Sequence, residues 1–280
     1  MSRHDETNSP RPQELSDHYA SGYEGSRLES GQGMIDRERS RELLERFLPA
    51  APATIADIGG GTGAHACWLA RRGYEVHLID IVPLHVESAR KASAQQPEFP
   101  LASAEVGDAC SLLWDDAHFD AVMLFGPLYH LTDKRDRKKA LSEAYRVLKA
   151  GGVLMAVGIS RFASTFDGVR SGFLKDPAFV EIVNGDLANG HHRNPTENPN
   201  YFMDTFFHHP DELHSEISEA GFETNGVYGV EGPSWLAPDV DDWWKDEDSR
   251  NVLLRIARAL ETEQSLLGIS AHLIAVGRKT

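Results

Sequence analysis

The sequence predicts an α/β fold: a doubly wound, mostly parallel seven-stranded sheet with a helical cap insertion. Two observations predict it. Short apolar runs alternate with amphipathic helical stretches between residues 54 and 157, the rhythm of strand–helix–strand units. The first run, Ile55-Ala56-Asp57-Ile58, breaks abruptly into Gly59-Gly60-Gly61-Thr62-Gly63, as a buried strand does when it turns tightly into a helix.

The elements follow in order. Residues 1–16 are polar and contain proline. In 17–48, Ile35, Leu43, Leu44, Phe47 and Leu48 give a helical apolar face. Tyr19, Tyr23 and Arg27 precede that face and could fold over a ligand. After the glycine loop a helix is expected over 64–72. A second strand over 75–80 ends in Asp80, and Pro83 opens the next helix. A short third strand near 104–106 ends at Gly107-Asp108-Ala109. A plain buried run over 120–125 is the fourth, ending in Gly126-Pro127-Leu128-Tyr129-His130. Asp133 caps a helix running to Lys149, and 153–157 is the fifth strand. Residues 160–205 interrupt the rhythm with aromatics among Gly, Asn, Pro and His, and read as a cap. Pro210 resumes it with a helix that Gly221 stops. Strands six and seven fall near 224–230 and 271–276. A second insertion between them holds Trp235, Trp243, Trp244 and a helix with Leu253, Ile256 and Leu260 inward. The division expected is 1–48, a helical segment over the site; 49–160, the ligand-binding core; 161–205, the cap; and 206–280, the rest of the sheet with an insertion near 235–267.

Bulk properties narrow the function. With 28 basic and 43 acidic residues the net charge is 28 − 43 = −15, which disfavours a nucleic-acid partner. Two cysteines, Cys67 and Cys110, suit a reduced, cytoplasmic setting and no zinc spacing. The first residues lack an apolar core segment, so no signal peptide is expected. No apolar run reaches the roughly 18–20 residues that span a bilayer, so no membrane is expected. A monomer or a homodimer would both suit this composition.

The glycine loop is compatible with two ligands. Gly59, Gly61 and Ala64 fit the dinucleotide pattern G-x-G-x-x-G/A, which keeps NAD open. Asp57 with Gly59, Gly61 and Gly63 gives D-x-G-x-G-x-G, which resembles motif I of the class I S-adenosylmethionine (SAM)-dependent methyltransferases. Three further stretches strengthen that likeness. Gly107-Asp108-Ala109 resembles the family's third-strand tip, and Phe125-Gly126-Pro127-Leu128-Tyr129-His130 its fourth-strand tip. Arg146-Val147-Leu148-Lys149-Ala150-Gly151-Gly152 resembles its R-V-L-K-P-G-G turn, with Ala150 where proline is common. Four matches in order over about residues 50–160 make the chain resemble a UbiE-like small-molecule methyltransferase with a Rossmann-like fold.

The resemblance implies roles. SAM is the expected cofactor and S-adenosylhomocysteine its product. Gly59, Gly61 and Gly63 would let SAM approach the backbone, and Asp57 would hold its ammonium. Asp80 would take the ribose hydroxyls. Ile81 would pack on the adenine, and Asp108 beside Ala109 would accept from its amino group. Phe125 lies beside the reacting methyl, and Tyr19 and Arg27 would close over the cofactor. His130 is the candidate base if the acceptor carries a proton at neutral pH, with Tyr129 as an orienting hydroxyl. Each acid could instead be a solvated strand-end residue, and His130 a structural histidine. His191-His192 and His208-His209 have no carboxylate or cysteine at ligand spacing, so no metal is expected. The reading is methyl transfer to a small, partly apolar acceptor by in-line displacement. An RNA- or protein-modifying methyltransferase, an NAD(P)-dependent oxidoreductase and a SAM-binding regulator are the alternatives.

Overall fold

The computed structural model describes residues 28–196 and 198–280. Its sheet contains β1 (Thr54–Ile58), β2 (Glu75–Asp80), β3 (Ser103–Val106), β4 (Phe119–Leu124), β5 (Leu148–Ser160), β8 (Phe222–Gly229) and β9 (His272–Lys279), with the short β6 (His191–His192) and β7 (Thr205–His208) between β5 and β8. Strands β3-β2-β1-β4-β5 are parallel neighbours in that order. Beyond β5 lies β9, antiparallel, and beyond it β8, antiparallel to β9 in turn. These seven strands are the expected sheet, and only β9 runs against the others. The two short strands were not expected: β7 pairs with β5 at Ile159 and Ser160, and β6 pairs with β7, so the cap carries a ribbon as well as helices.

Alternation along each strand divides the core between two faces. Ile55, Ala121, Met123, Val153, Met155 and Ile274 point to one face. That face is covered by α1 (Gln32–Phe47), α2 (Ala64–Ala70) and α3 (Pro83–Ala94), through Leu43, Leu44, Leu69, Val86 and Ala89. Ala56, Ile58, Val122, Leu124, Leu154 and Ala275 point to the other. The short α4 (Pro127–His130) follows β4. It leads into α5 (Lys134–Val147), which with a later helix, Pro210–Glu219, covers this second face through Leu141, Ala144, Leu213 and Ile217. Each fully buried leucine contributes about 1.5–3 kcal/mol of transfer free energy, so neither face could be exposed.

Helix ends follow the local chemistry. Asp133 accepts a hydrogen bond from the Arg135 amide and starts α5, as expected. The cap holds α6 (Ala163–Ser171) and α7 (Pro177–Asn189), the latter capped by Asp176. Pro210–Glu219 is α8; the second insertion carries α9 (Val240–Lys245) and α10 (Glu247–Leu260). The insertion aromatics pack mainly among themselves. Phe173, Phe179 and Tyr201 form the cap's own core, and Trp243 and Trp244 pack with Met34, Ile35 and Leu253.

Three of the four paired histidines meet protein partners through their rings. His192 faces Asp186 through Nδ1 at 2.9 Å and the Tyr201 carbonyl through Nε2 at 2.7 Å. His208 faces Glu216 at 3.4 Å, and His209 accepts from the Asp211 amide at the start of α8. Glu216 is also bound by Arg137 at 2.9–3.1 Å, and Arg137 donates to the carbonyls of Leu131 and Thr132 and lies over Phe206. Burial alone would push the Glu216 carboxyl up, but hydrogen bonds from His208 and Arg137 outweigh it and hold it down to about 2. This buried network ties α5, α8 and β7 to the segment that follows α4.

Candidate ligand site at the strand tips

The order β2-β1-β4 reverses direction of winding at β1, so a crevice opens outside the carboxyl ends of β1 and β4. Two adjoining cavities occupy it, sharing Gly59, Gly61, Phe125 and Tyr129 as a common wall. The first lies over β2 and β3 and adds Asp80, Ile81, His85, Asp108, Ala109 and His130. The second lies over β1 and adds Asp36, Ser40, Asp57, His65, Val230 and His272.

The loop between β1 and α2 is shaped by close contacts. Gly59, with φ of +73°, lies against Pro127 from the fourth-strand tip; a Cβ there would meet the proline Cδ at 2.6 Å. A Cβ on Gly60 would meet the Asp57 carboxylate at 2.7 Å. Both positions therefore require glycine. Gly63, with φ of +84°, faces Ala89 of α3, whose Cβ a side chain there would meet at 3.2 Å.

Asp80 organises this loop. Its Oδ2 accepts from the Gly61 amide at 2.9 Å, and its Oδ1 from the Val82 amide at 2.8 Å. His85 Nδ1 lies 3.2 Å from the same Oδ1. A carboxylate oxygen has two lone pairs, so Oδ2, with the Gly61 amide as its donor, keeps capacity for a ligand hydroxyl. Asp108 accepts from the Cys110 amide at 2.8 Å, which fixes its side chain at the β3 tip. Ile81, Ala109 and Phe125 complete the apolar part of the first cavity.

Asp57 differs from both. It is 1 % exposed and, among the described residues, its Oδ1 has no hydrogen-bond partner. Burial, and secondarily the nearby Asp80 charge, raise its carboxyl to about 7. An unpartnered buried carboxylate oxygen is costly unless a ligand donor meets it. The site therefore fits a ligand with an ammonium over β1 and a nucleoside over β2 and β3. Those are the two ends of SAM.

Tyr129 lies on the shared wall and His130 in the first cavity. Tyr19, Tyr23 and Arg27 lie outside the described residues. The sequence reading passed over His85, His65, Asp36 and His272. His85 lies two residues past the helix-opening Pro83, and its spacing of five from Asp80 was a readable signal. Asp36 and His272 had none, because they meet only when α1 packs over β9.

The sequence has relatives. Residues 56–156 match the family model described as a methyltransferase domain. An uncharacterised methyltransferase of Mycobacterium tuberculosis (strain ATCC 25618 / H37Rv) is 32% identical over 135 residues, 47% of this chain and 51% of the relative. A ubiquinone/menaquinone biosynthesis C-methyltransferase of Ruegeria sp. (strain TM1040) is 25% identical over 190 residues, 65% of this chain and 70% of that one. The chain thus spans about half the length of the first of these relatives. Among solved structures, a SAM-dependent methyltransferase from Methanosarcina mazei superposes with a TM-score of 0.58 at 18% identity, over 85% of this chain and 96% of that one. At that identity the likeness shows the fold alone. Together with the motif-bearing strand tips, these matches show that residues 56–156 form a methyltransferase domain similar to those of SAM-dependent methyltransferases.

Proposed function

We propose that the chain binds SAM across the two adjoining cavities and catalyses methyl transfer to a small, partly apolar molecule. The observation that carries this reading is the buried Asp57 oxygen without a partner, set beside a glycine loop and one strand from Asp80. Bound SAM supplies a methyl group already activated by the sulfonium.

The residues then divide the work. Asp57 accepts from the ammonium, which also draws off the proton that burial favours on it. Asp80 accepts from the ribose hydroxyls, and Asp108 from the adenine amino group. Ile81, Ala109 and Phe125 give the apolar walls, and Gly59 and Gly61 allow close approach to bare backbone. Tyr129 orients the acceptor, and His130 takes its proton where the attacking atom carries one. Alignment and exclusion of water supply most of the acceleration, because the donor needs little further activation. A net charge of −15 disfavours an RNA acceptor. A nicotinamide dinucleotide would leave Asp108 and the Pro127-Leu128-Tyr129-His130 segment without a task.

Calorimetric titration of SAM, S-adenosylhomocysteine and NAD into the full chain tests the reading. Micromolar binding of both adenosyl ligands, weakened in Asp57→Asn and absent for NAD, is expected. NAD binding without SAM binding would overturn it.

A further inference from the structure

At the edge of the cavity over β1, which Asp36 and His272 line, three side chains converge from distant parts of the chain. Asp36 comes from α1, Glu231 follows the end of β8, and His272 opens β9. One donor atom from each lies within 4.8 Å of the other two. We propose that Asp36, Glu231 and His272 bind a divalent transition-metal ion at this edge.

The arrangement is built rather than incidental. Glu231 is 2 % exposed and Asp36 8 %. Glu231 Oε2 accepts from Ser270 Oγ at 2.8 Å and from the His272 amide at 3.0 Å. Ser270 Oγ in turn accepts from the amides of Glu231 and Gly232. These bonds direct Glu231 Oε1 toward His272 Nδ1, 2.5 Å away. Asp36 Oδ1 accepts from Ser40 Oγ at 3.0 Å, while its Oδ2 lies 3.9 Å from the same imidazole nitrogen. Outer partners that aim the donors in this way are characteristic of metal centres.

The donor set is two buried carboxylates and one imidazole. Two carboxylates and an imidazole suit Mn²⁺, Fe²⁺ or Zn²⁺ better than Mg²⁺ or Ca²⁺. Such ions take four to six ligands, so three protein donors leave positions for water or an acceptor oxygen. The ion would thereby select acceptors with oxygen donors. Ion binding stands apart from the assignment of SAM, while the selection of acceptors rests on the methyl-transfer reading.

The test uses the full chain stripped with chelator and titrated calorimetrically with Mn²⁺ and Zn²⁺, with Mg²⁺ as the hard-cation comparison. One ion per chain at micromolar affinity is expected, with Mg²⁺ weaker. Glu231→Gln and His272→Ala should each lower affinity by at least about tenfold, and Ser270→Ala by about tenfold through the lost outer partner. Circular dichroism establishes that each variant is folded; Asp36→Asn, on the helix surface of the cluster, replaces any that is not. Absence of ion binding by the wild-type chain, or equal affinity in the folded variants, overturns the proposal. That result would leave the three residues as a plain hydrogen-bonded cluster. A SAM titration of the same samples reports separately on the methyl-transfer reading.

Discussion

The two cavities at the strand tips are built in opposite ways. Every residue lining the first lies between Gly59 and Leu131, in one continuous run of strand–loop–helix units. The second draws on Leu28 and Asp36 at one end of the chain and Val230 and His272 at the other. The first therefore falls inside the stretch that matches the methyltransferase-domain model, while the second adds to that stretch Leu28, Asp36, Ser40, Val157, Val230 and His272 from outside it. Local connection fixes a nucleoside-shaped crevice; what surrounds the rest of the ligand depends on which distant elements the fold brings over it. On the proposed reading the cofactor spans both cavities, and the residues that the second gathers from outside the matched stretch are the ones that would bear on the acceptor.

The largest effect should follow from Asp80→Ala. It removes the intended ribose acceptor and the bonds from Gly61 and Val82, so the loop shared by both cavities loosens. SAM affinity should fall by more than about 100-fold, since hydrogen bonds to a charged group contribute about 1.5–3 kcal/mol each. Near-normal affinity by calorimetry would mean that the first cavity does not hold the ribose.

Arg137→Met tests the support beneath the site rather than the site. It leaves Glu216 buried with one of its two partners gone, which should cost about 3–5 kcal/mol of stability. Glu216 is held at about 2, below its ordinary value of 4.5, so its wild-type contribution is present above pH 4.5 and fades toward pH 2. The variant should show a lower Tm at pH 7 and a smaller difference from wild type at pH 3, while SAM affinity measured well below the Tm stays the same. A parallel loss of affinity would show that the network also sets the position of α4.

Asp57→Asn addresses the second cavity, with an expected 10- to 100-fold loss of SAM affinity, or about 1.4–2.7 kcal/mol. Its pH dependence is more telling. The folded Asp57 carboxyl stands at about 7 against an ordinary 3.8, so the native state holds the extra proton. Wild-type stability from this group is full below pH 3.8 and is lost as pH rises through 7. The asparagine variant should gain stability relative to wild type over that interval. Wild-type SAM affinity should rise with pH through 7 and that of the variant should not. A flat difference in denaturation midpoints between pH 4 and 8 would refute the account of Asp57.

The smallest effect is expected at Leu113, which follows the β3 tip but is 93 % exposed. Leu113→Ser should change stability by less than about 0.5 kcal/mol and leave SAM affinity intact. A measurable loss of affinity would extend the ligand site to Leu113.

The seven-stranded sheet was legible because its strands are short apolar runs with glycine or an acid at their tips, and its helices carry caps such as Asp133. The same local grammar picked out Asp57, Asp80 and Asp108 as a set. It did not foresee that Gly63 packs on Ala89, since a glycine required for helix packing and one required for a ligand are the same letter. It missed β6 and β7, which are two and four residues long; β7 pairs with the end of β5, and β6 pairs with β7. It also set the metal question at the paired histidines, where imidazoles instead meet Asp186 and Glu216.

By itself the sequence determined the alternation of strand and helix, the turn after β1 and the acids at three strand tips. All of these rest on interactions between residues close in the chain. Only the tertiary structure decided which carboxylate lacks a partner, how Arg137 braces the segment behind α4, and that Asp36, Glu231 and His272 meet. The last depends on β9 entering antiparallel between β5 and β8, which sets His272 at the carboxyl ends of the parallel strands under α1. No spacing encodes that meeting, because its residues are joined by burial and not by sequence.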